Sequence, residues 1–164
     1  MLLAVDDGQA SIGAKRQRLL EAARGDYVMA VDDDDALAPD GVAKLVEACK
    51  QGSDAVGYKS KRYRDGKYHG NCTYTITNKE TNTSTIIDGV KTYLRWPMHI
   101  TPVKRALALQ VGFKDLNRGE DIDYQARLRP LIQTETFIDY FIYHYYWRSN
   151  RDGENTNRVQ TGHR

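Results

Sequence analysis

Apolar positions along this chain recur with two different periods. Residues 2–5 form a short continuous apolar run ending in Asp6-Asp7-Gly8, which predicts a buried strand that delivers two carboxylates to a turn. Over 12–24, Ile12, Leu19, Leu20 and Ala23 fall near helical spacing with basic residues on the other face, and Gly25 stops the pattern. A second apolar run, 27–31, leads directly into Asp32-Asp33-Asp34-Asp35 and is expected to be the central strand. Beyond Pro39, the Asp40 side chain is expected to cap a helix carrying Val42, Leu45, Val46 and Cys49, which ends near Gly52 and is followed by a strand over 54–58.

This alternation of strand and helix argues for an α/β fold with a mainly parallel sheet and helices packed on it. From 58 to 87 the texture changes to Thr, Tyr and charged residues, so a meander of antiparallel strands is expected, with Arg64-Asp65-Gly66-Lys67 as a hairpin turn. Short helices are expected over 88–96 and 102–111, on either side of Pro97-Met98-His99. A further helix over 121–129 is stopped by Pro130, and an aromatic-rich strand covers 137–147. Residues 149–164 are polar and rich in Asn and Arg, so the chain divides into a compact domain, 1–148, and a tail, 149–164.

Composition narrows the class without naming a partner. A chain of 164 residues suits one hydrophobic core, and a formal charge of +2 with 28% charged and 40% hydrophobic residues is ordinary for a globular protein. No apolar run approaches the roughly 18–20 residues of a membrane-spanning helix and the N-terminus lacks signal-peptide order, so a cytoplasmic location is expected. Cys49 and Cys72 form no CxxC pair and read as free thiols.

The aspartate run changes the picture. Four adjacent carboxylates repel one another and need solvation or a compensating cation, and oxygen ligands of this kind suit Mg²⁺, Mn²⁺ or Ca²⁺. An acidic surface turn is the plain alternative. The run follows an apolar strand in an alternating α/β pattern, where ligands gather outside the carboxyl ends of strands, and this favours a site. An EF-hand is excluded because the expected Gly and Glu are missing, which leaves a cation shared with a phosphate.

Gly13-Ala14-Lys15-Arg16-Gln17, Ala23-Arg24-Gly25-Asp26-Tyr27 and Val31-Asp32-Asp33-Asp34-Asp35, with Val5-Asp6-Asp7-Gly8 upstream and Gly119-Glu120-Asp121 downstream, resemble the ordered motifs of family 2 glycosyltransferases. The resemblance implies a GT-A fold of the nucleotide-diphospho-sugar transferase type, a mixed, mainly parallel sheet flanked by helices, here without the family's usual first strand and helix. It also implies a nucleotide-diphosphate sugar donor, a glycan or other hydroxyl acceptor and a divalent cation, Mn²⁺ or Mg²⁺.

By the same resemblance, Asp34 ligates the metal, while Asp32 or Asp33 faces the donor's ribose or phosphate, Asp32 also being a candidate ligand. Asp6 or Asp7 contacts the nucleotide, and Arg16, with Lys15 beside it, lies near the base or diphosphate. Asp121 is the general base of an inverting displacement, with Glu120 orienting the acceptor. His144 or Arg148 reaches the diphosphate, and His144 is also a candidate metal contact. Gln17 stands where the motif usually has Asn. Without the first strand, either the donor pocket is trimmed, or another chain, a second copy included, completes it, or the sequence is a fragment or a degenerate copy.

Two rival readings use the same residues. A glycosidase needs two carboxylates but no metal, and a non-catalytic nucleotide-sugar-binding module would keep the core without turnover. His99 reads as a surface-loop histidine, and most of the eleven tyrosines read as strand residues. Lys59, Lys61, Arg62, Arg64 and Lys67 share one expected hairpin. They read as a solvated basic face, with an anionic-glycan surface or a nucleic-acid acceptor as the alternatives.

Overall fold

The computed structural model describes Leu2 and residues 8–149. The expected strand over 2–5 beyond Leu2, the candidates Asp6 and Asp7, and the tail beyond Ser149 lie outside the described residues. In chain order the elements are α1 (Ile12–Ala22), β1 (Tyr27–Val28), β2 (Ala36–Leu37), α2 (Gly41–Cys49), β3 (Ala55–Arg64), β4 (Lys67–Tyr74), β5 (Thr83–Ile87), β6 (Val90–Arg95), β7 (Val103–Lys104), α3 (Arg105–Val111), α4 (Glu120–Leu128), a 3-10 turn (Arg129–Leu131) and β8 (Glu135–Trp147).

Local chemistry explains where the first helix begins. The Ser11 hydroxyl accepts from the Ala14 N–H at 3.0 Å, satisfying one of the free donors of α1. The Gly13 N–H donates to the Leu116 carbonyl at 3.0 Å, and a Cβ at Gly13 would lie 1.9 Å from the Lys114 oxygen. Only glycine lets the start of α1 rest on the 114–116 loop, and that contact sets the position of Arg16 one turn later. At α2, Asp40 occupies the N-cap position without capping, contrary to expectation; its carboxylate lies 3.3 Å from the Lys44 ammonium one turn on.

The sheet is organised around β3. It pairs in parallel with β8 along its whole length and antiparallel with β4, while its first residue, Ala55, also pairs with Val103 of β7. The 27–31 run, expected at the centre, forms only the two-residue β1, whose partner among the described residues is β7. Beyond β4 come β6 in parallel and then β5, and β2 pairs antiparallel with β8.

The mixed α/β character holds, but parallel pairing does not dominate among the described residues. The reason is two tight turns. Asp65 and Gly66, with φ of 50° and 76°, close the expected β3–β4 hairpin, and Asp88 and Gly89, with the same pair of φ values, close β5–β6. The second turn replaces the helix expected over 88–96 with a strand, because Asp-Gly between β-branched runs is a hairpin signal that outweighs helical spacing. The helix expected from 102 starts at Arg105, since Val103 and Lys104 are held in the sheet by Val28 and Tyr27.

Two apolar clusters lie on opposite faces of the sheet, as the alternation of Ala55 and Val56 requires. Val56, Tyr58, Tyr74 and Ile142 pack with Leu45 and Ala48 of α2. Ala55 and Val103 pack with Leu20, Ala108, Tyr124 and Leu128 of α1, α3 and α4. Cys49 and Cys72 are free thiols, and no described helix is long and apolar enough to cross a membrane.

Candidate active site

The four aspartates form a tight turn between β1 and β2, in which the Asp35 N–H donates to the Asp32 carbonyl at 3.1 Å. This turn meets the N-terminus of α4 and the middle of α1. Gly119, at φ 77°, occupies the left-handed region that lets the chain turn sharply into α4 and present Glu120 and Asp121 in its first turn. The helix dipole and free N–H groups there favour carboxylates.

One arginine joins the three segments. Arg16 donates from one guanidinium nitrogen to Asp32 at 2.8 Å and from the other to Glu120. The Arg16 side chain is 14% exposed and that of Glu120 7%. His99 completes the group: its Nε2 lies 3.5 Å from the second Asp32 oxygen. Burial would push the Asp32 carboxyl up, but His99 and Arg16 overcome it and hold the group well below the usual carboxylate range.

His99 is buried, contrary to its reading as a surface residue. The Ala30 N–H donates to its carbonyl at 2.7 Å, and Thr101 Oγ1 donates to the Met98 carbonyl at 2.7 Å, so the Pro97-Met98-His99 segment folds back beneath the aspartate turn.

Asp35 is in the opposite electrostatic state. Burial raises its pKa to about 6, and the neighbouring charges of Asp34 and Asp32 add to the rise despite hydrogen bonds from the Tyr146 N–H and the Tyr143 hydroxyl, both at 2.8 Å. Tyr143 also accepts from the Asp32 N–H at 3.2 Å and so ties the aspartate turn to β8. His99 and Tyr143 were not singled out from sequence as site residues, and Asp35 entered only as a member of the aspartate run. The contacts that bring His99 and Tyr143 to Asp32 span 67 and 111 positions, which no local pattern carries.

The remaining candidates divide by position. Asp33 and Asp34 sit in the turn itself, and Lys15 is half-buried next to Arg16 on α1. Asp121 is half-buried beside Glu120, its carboxylate accepting from the Ile122 N–H at 2.9 Å. The Glu120 carboxylate, expected to orient an acceptor, is engaged by Arg16. Arg148 is exposed just past the end of β8. His144 stands apart: its ring stacks on Tyr63 at 6.0 Å, on the strand face opposite Tyr143, and burial and Lys61 lower its pKa.

Among the described residues no three His, Cys, Asp or Glu side chains converge as a metal cage. A turn in which burial, and after it the charges of Asp34 and Asp32, raise Asp35 nevertheless fits a cation held by one or two carboxylates and completed by phosphate oxygens.

This turn of carboxylates lies at the edge of a helix-flanked sheet. Residues 7–108 match the model of glycosyl transferase family 2, and the chain belongs to that family. No curated protein matches it significantly in sequence. Among solved structures it is similar to S. aureus TarS 1–349 in complex with UDP-GlcNAc, with a TM-score of 0.65 and 14% identity over 94% of this chain and 44% of that one. It is also similar to TarS 1–349 without a named ligand (TM-score 0.60, 20% identity, 96% and 45% covered) and in complex with UDP (TM-score 0.56, 18% identity, 83% and 40% covered). The chain spans less than half the length of each of these TarS chains, and at such identities the likeness is one of fold.

Proposed function

We propose that this chain transfers a sugar from a nucleotide-diphosphate donor to an acceptor hydroxyl, assisted by Mn²⁺ or Mg²⁺, with inversion and with Asp121 as general base. The observation that carries the reading is the Asp32–Asp35 turn, whose carboxylates crowd one another and which Arg16 and Glu120 hold beside Asp121.

Transfer builds negative charge on the leaving diphosphate while the acceptor hydroxyl loses a proton. A cation held at Asp34, with Asp32 or Asp33 beside it, would act as a Lewis acid toward the leaving phosphate. Arg16 acts as a positioning residue here: with His99 it holds Asp32 in the ionised form, and it locks Glu120, the neighbour of Asp121 in the first turn of the helix. Lys15 and Arg148 supply the cationic groups for the diphosphate. Asp121 takes the acceptor proton, a role worth roughly 10²–10⁴ in rate.

TarS with UDP-GlcNAc or UDP bound makes a uridine nucleotide the first donor to try. The test is release of UDP from UDP-sugars in the presence of Mn²⁺ and candidate acceptors. Asp121→Asn is expected to lower turnover at least about a hundredfold with UDP affinity intact. Full turnover in that variant would remove Asp121 from the base role.

A second reading has one observation in its favour. An apolar groove of about 460 Å³ lies between β1 and α2, lined by Val28, Met29, Leu37, Val42, Leu45 and Val46. A partner chain, a second copy included, that covered this groove would make the domain a partner-dependent module, and donor binding would then appear only in the assembly.

A further inference from the structure

The transferase reading leaves the acceptor open, and the inference drawn here rests on that reading and concerns the acceptor's charge. Where the C-terminal halves of β3 and β8 run beside β4 and β6, a cleft of about 260 Å³ is lined by Arg62, Arg64 and His69 among the rings of Tyr93, Tyr145 and Trp147. Its cations are held by rings. The Arg62 guanidinium lies 4.3 Å from the Tyr93 centroid and 4.6 Å from that of Tyr145, and Arg64 lies 4.5 Å from Trp147; outside the lining, the Lys91 ammonium lies 5.0 Å from the same Tyr93 ring.

Among the described residues neither Arg62 nor Lys91 is paired with a carboxylate. Arg64 approaches Asp65 only to 3.8 Å, and Asp65 is already bound by the N–H and hydroxyl of Ser149. Aromatic faces hold a guanidinium flat and partly dehydrated but leave its N–H edges un-neutralised, which is the state that takes up an anion bidentately. Among the described residues no acid lines the cleft.

The cleft also adjoins the candidate active site. Arg62 is the register partner of Tyr145, and the next residue, Tyr146, donates its N–H to Asp35. Tyr145 is exposed to both fields: burial raises its pKa, Arg62 lowers it, and Asp35, Asp34 and Asp32 raise it again.

We propose that this cleft binds an anionic substituent of the acceptor glycan, a phosphate, sulfate or carboxylate, next to the site where the acceptor hydroxyl reacts. A glycan is favoured over a nucleic acid because cations already stand over Tyr93, Tyr145 and Trp147, which limits base stacking on those rings.

The test is calorimetric titration of the full chain with short oligomers, each with and without UDP and Mn²⁺, so that the glycan result stands whichever way the donor result falls. The probes are a neutral N-acetylglucosamine tetramer, a hyaluronan tetrasaccharide, a chondroitin sulfate tetrasaccharide, a glycerol phosphate tetramer and an oligo-dT of matched charge. The three anionic glycans separate the possible sources of the charge. At least one of them is expected to bind about tenfold more tightly than the neutral tetramer. Arg62→Gln with Arg64→Gln is expected to remove that preference while leaving UDP affinity unchanged.

Lys91→Ala, at an exposed position, is expected to weaken the same probe about threefold and guards against a folding defect in the double variant. Tightest binding by the neutral tetramer or by oligo-dT, or unchanged affinity in the double variant and in Lys91→Ala, would overturn the proposal. If UDP binds and the anionic preference is absent, the acceptor inference alone fails; if UDP does not bind, the transferase reading fails on its own evidence.

Discussion

Arg16 and Arg62 carry the same side chain into two different settings. Arg16 is clamped between Asp32 and Glu120, with its charge spent inside the molecule. Arg62 lies between Tyr93 and Tyr145 with no carboxylate partner among the described residues. The first arrangement is a structural joint holding α1, α4 and the aspartate turn in one geometry. The second leaves charge at the surface for something else to neutralise. Position in the fold decides which of the two an arginine becomes: Arg16, on α1, faces the segment where two acids converge, and Arg62, on β3, faces the aromatic side of a hairpin.

The largest expected effect breaks this comparison most directly. Arg16→Ala leaves the buried Glu120 carboxylate unpaired and Asp32 with His99 alone, and is expected to cost about 3–5 kcal/mol in chemical denaturation, whereas Arg62→Ala loses ring contacts and about 0.5–2 kcal/mol. Equal losses would mean that Arg62 is as structural as Arg16.

A smaller effect concerns the aspartate turn. The folded-state pKa of Asp35 is raised to about 6, so its ionised form opposes folding, and stability attributable to this group falls as pH rises from about 4 through about 6. Asp35→Asn is expected to stabilise the metal-free protein at pH 8 by about 1–2 kcal/mol and to bring no gain near pH 4. Thermal unfolding of both proteins across that range measures it, and a constant difference would show that ionisation of Asp35 is not the cause.

The smallest effect lies at the acid end. Burial alone would push the Asp54 carboxyl up, but Lys104 at 3.0 Å and the N–H groups of Gln133 and Thr134 hold it at about 2. A depressed folded pKa contributes stability above about pH 4 that is lost as pH falls toward 2. Asp54→Asn is therefore expected to lower Tm at neutral pH and to flatten its decline on acidification.

The elements built from local signals were legible in the sequence. α1, α2, the Asp65-Gly66 hairpin and the aromatic strand β8 follow from periodicity, punctuation and turn chemistry, and the ordered motifs pointed to the right family. Asp88-Gly89 carried the same turn signal as Asp65-Gly66, but the helical reading of the residues after it prevailed, and β6 was missed. The centrality of β3 was not legible, because which strand sits in the middle depends on pairing between residues such as Ala55 and Glu135. The same limit applies to the site. Arg16, Asp32 and Glu120 were named from motifs, while His99 and Tyr143, which fix the aspartate turn from beneath and beside it, are brought there only by tertiary folding.

The account stands or falls on whether the aspartate turn holds a cation together with a nucleoside diphosphate. Calorimetric titration of UDP into the protein, with and without Mn²⁺, tests this directly when run beside Asp34→Ala. The account predicts Mn²⁺-dependent binding that Asp34→Ala abolishes. UDP binding indifferent to both the metal and Asp34 would contradict it.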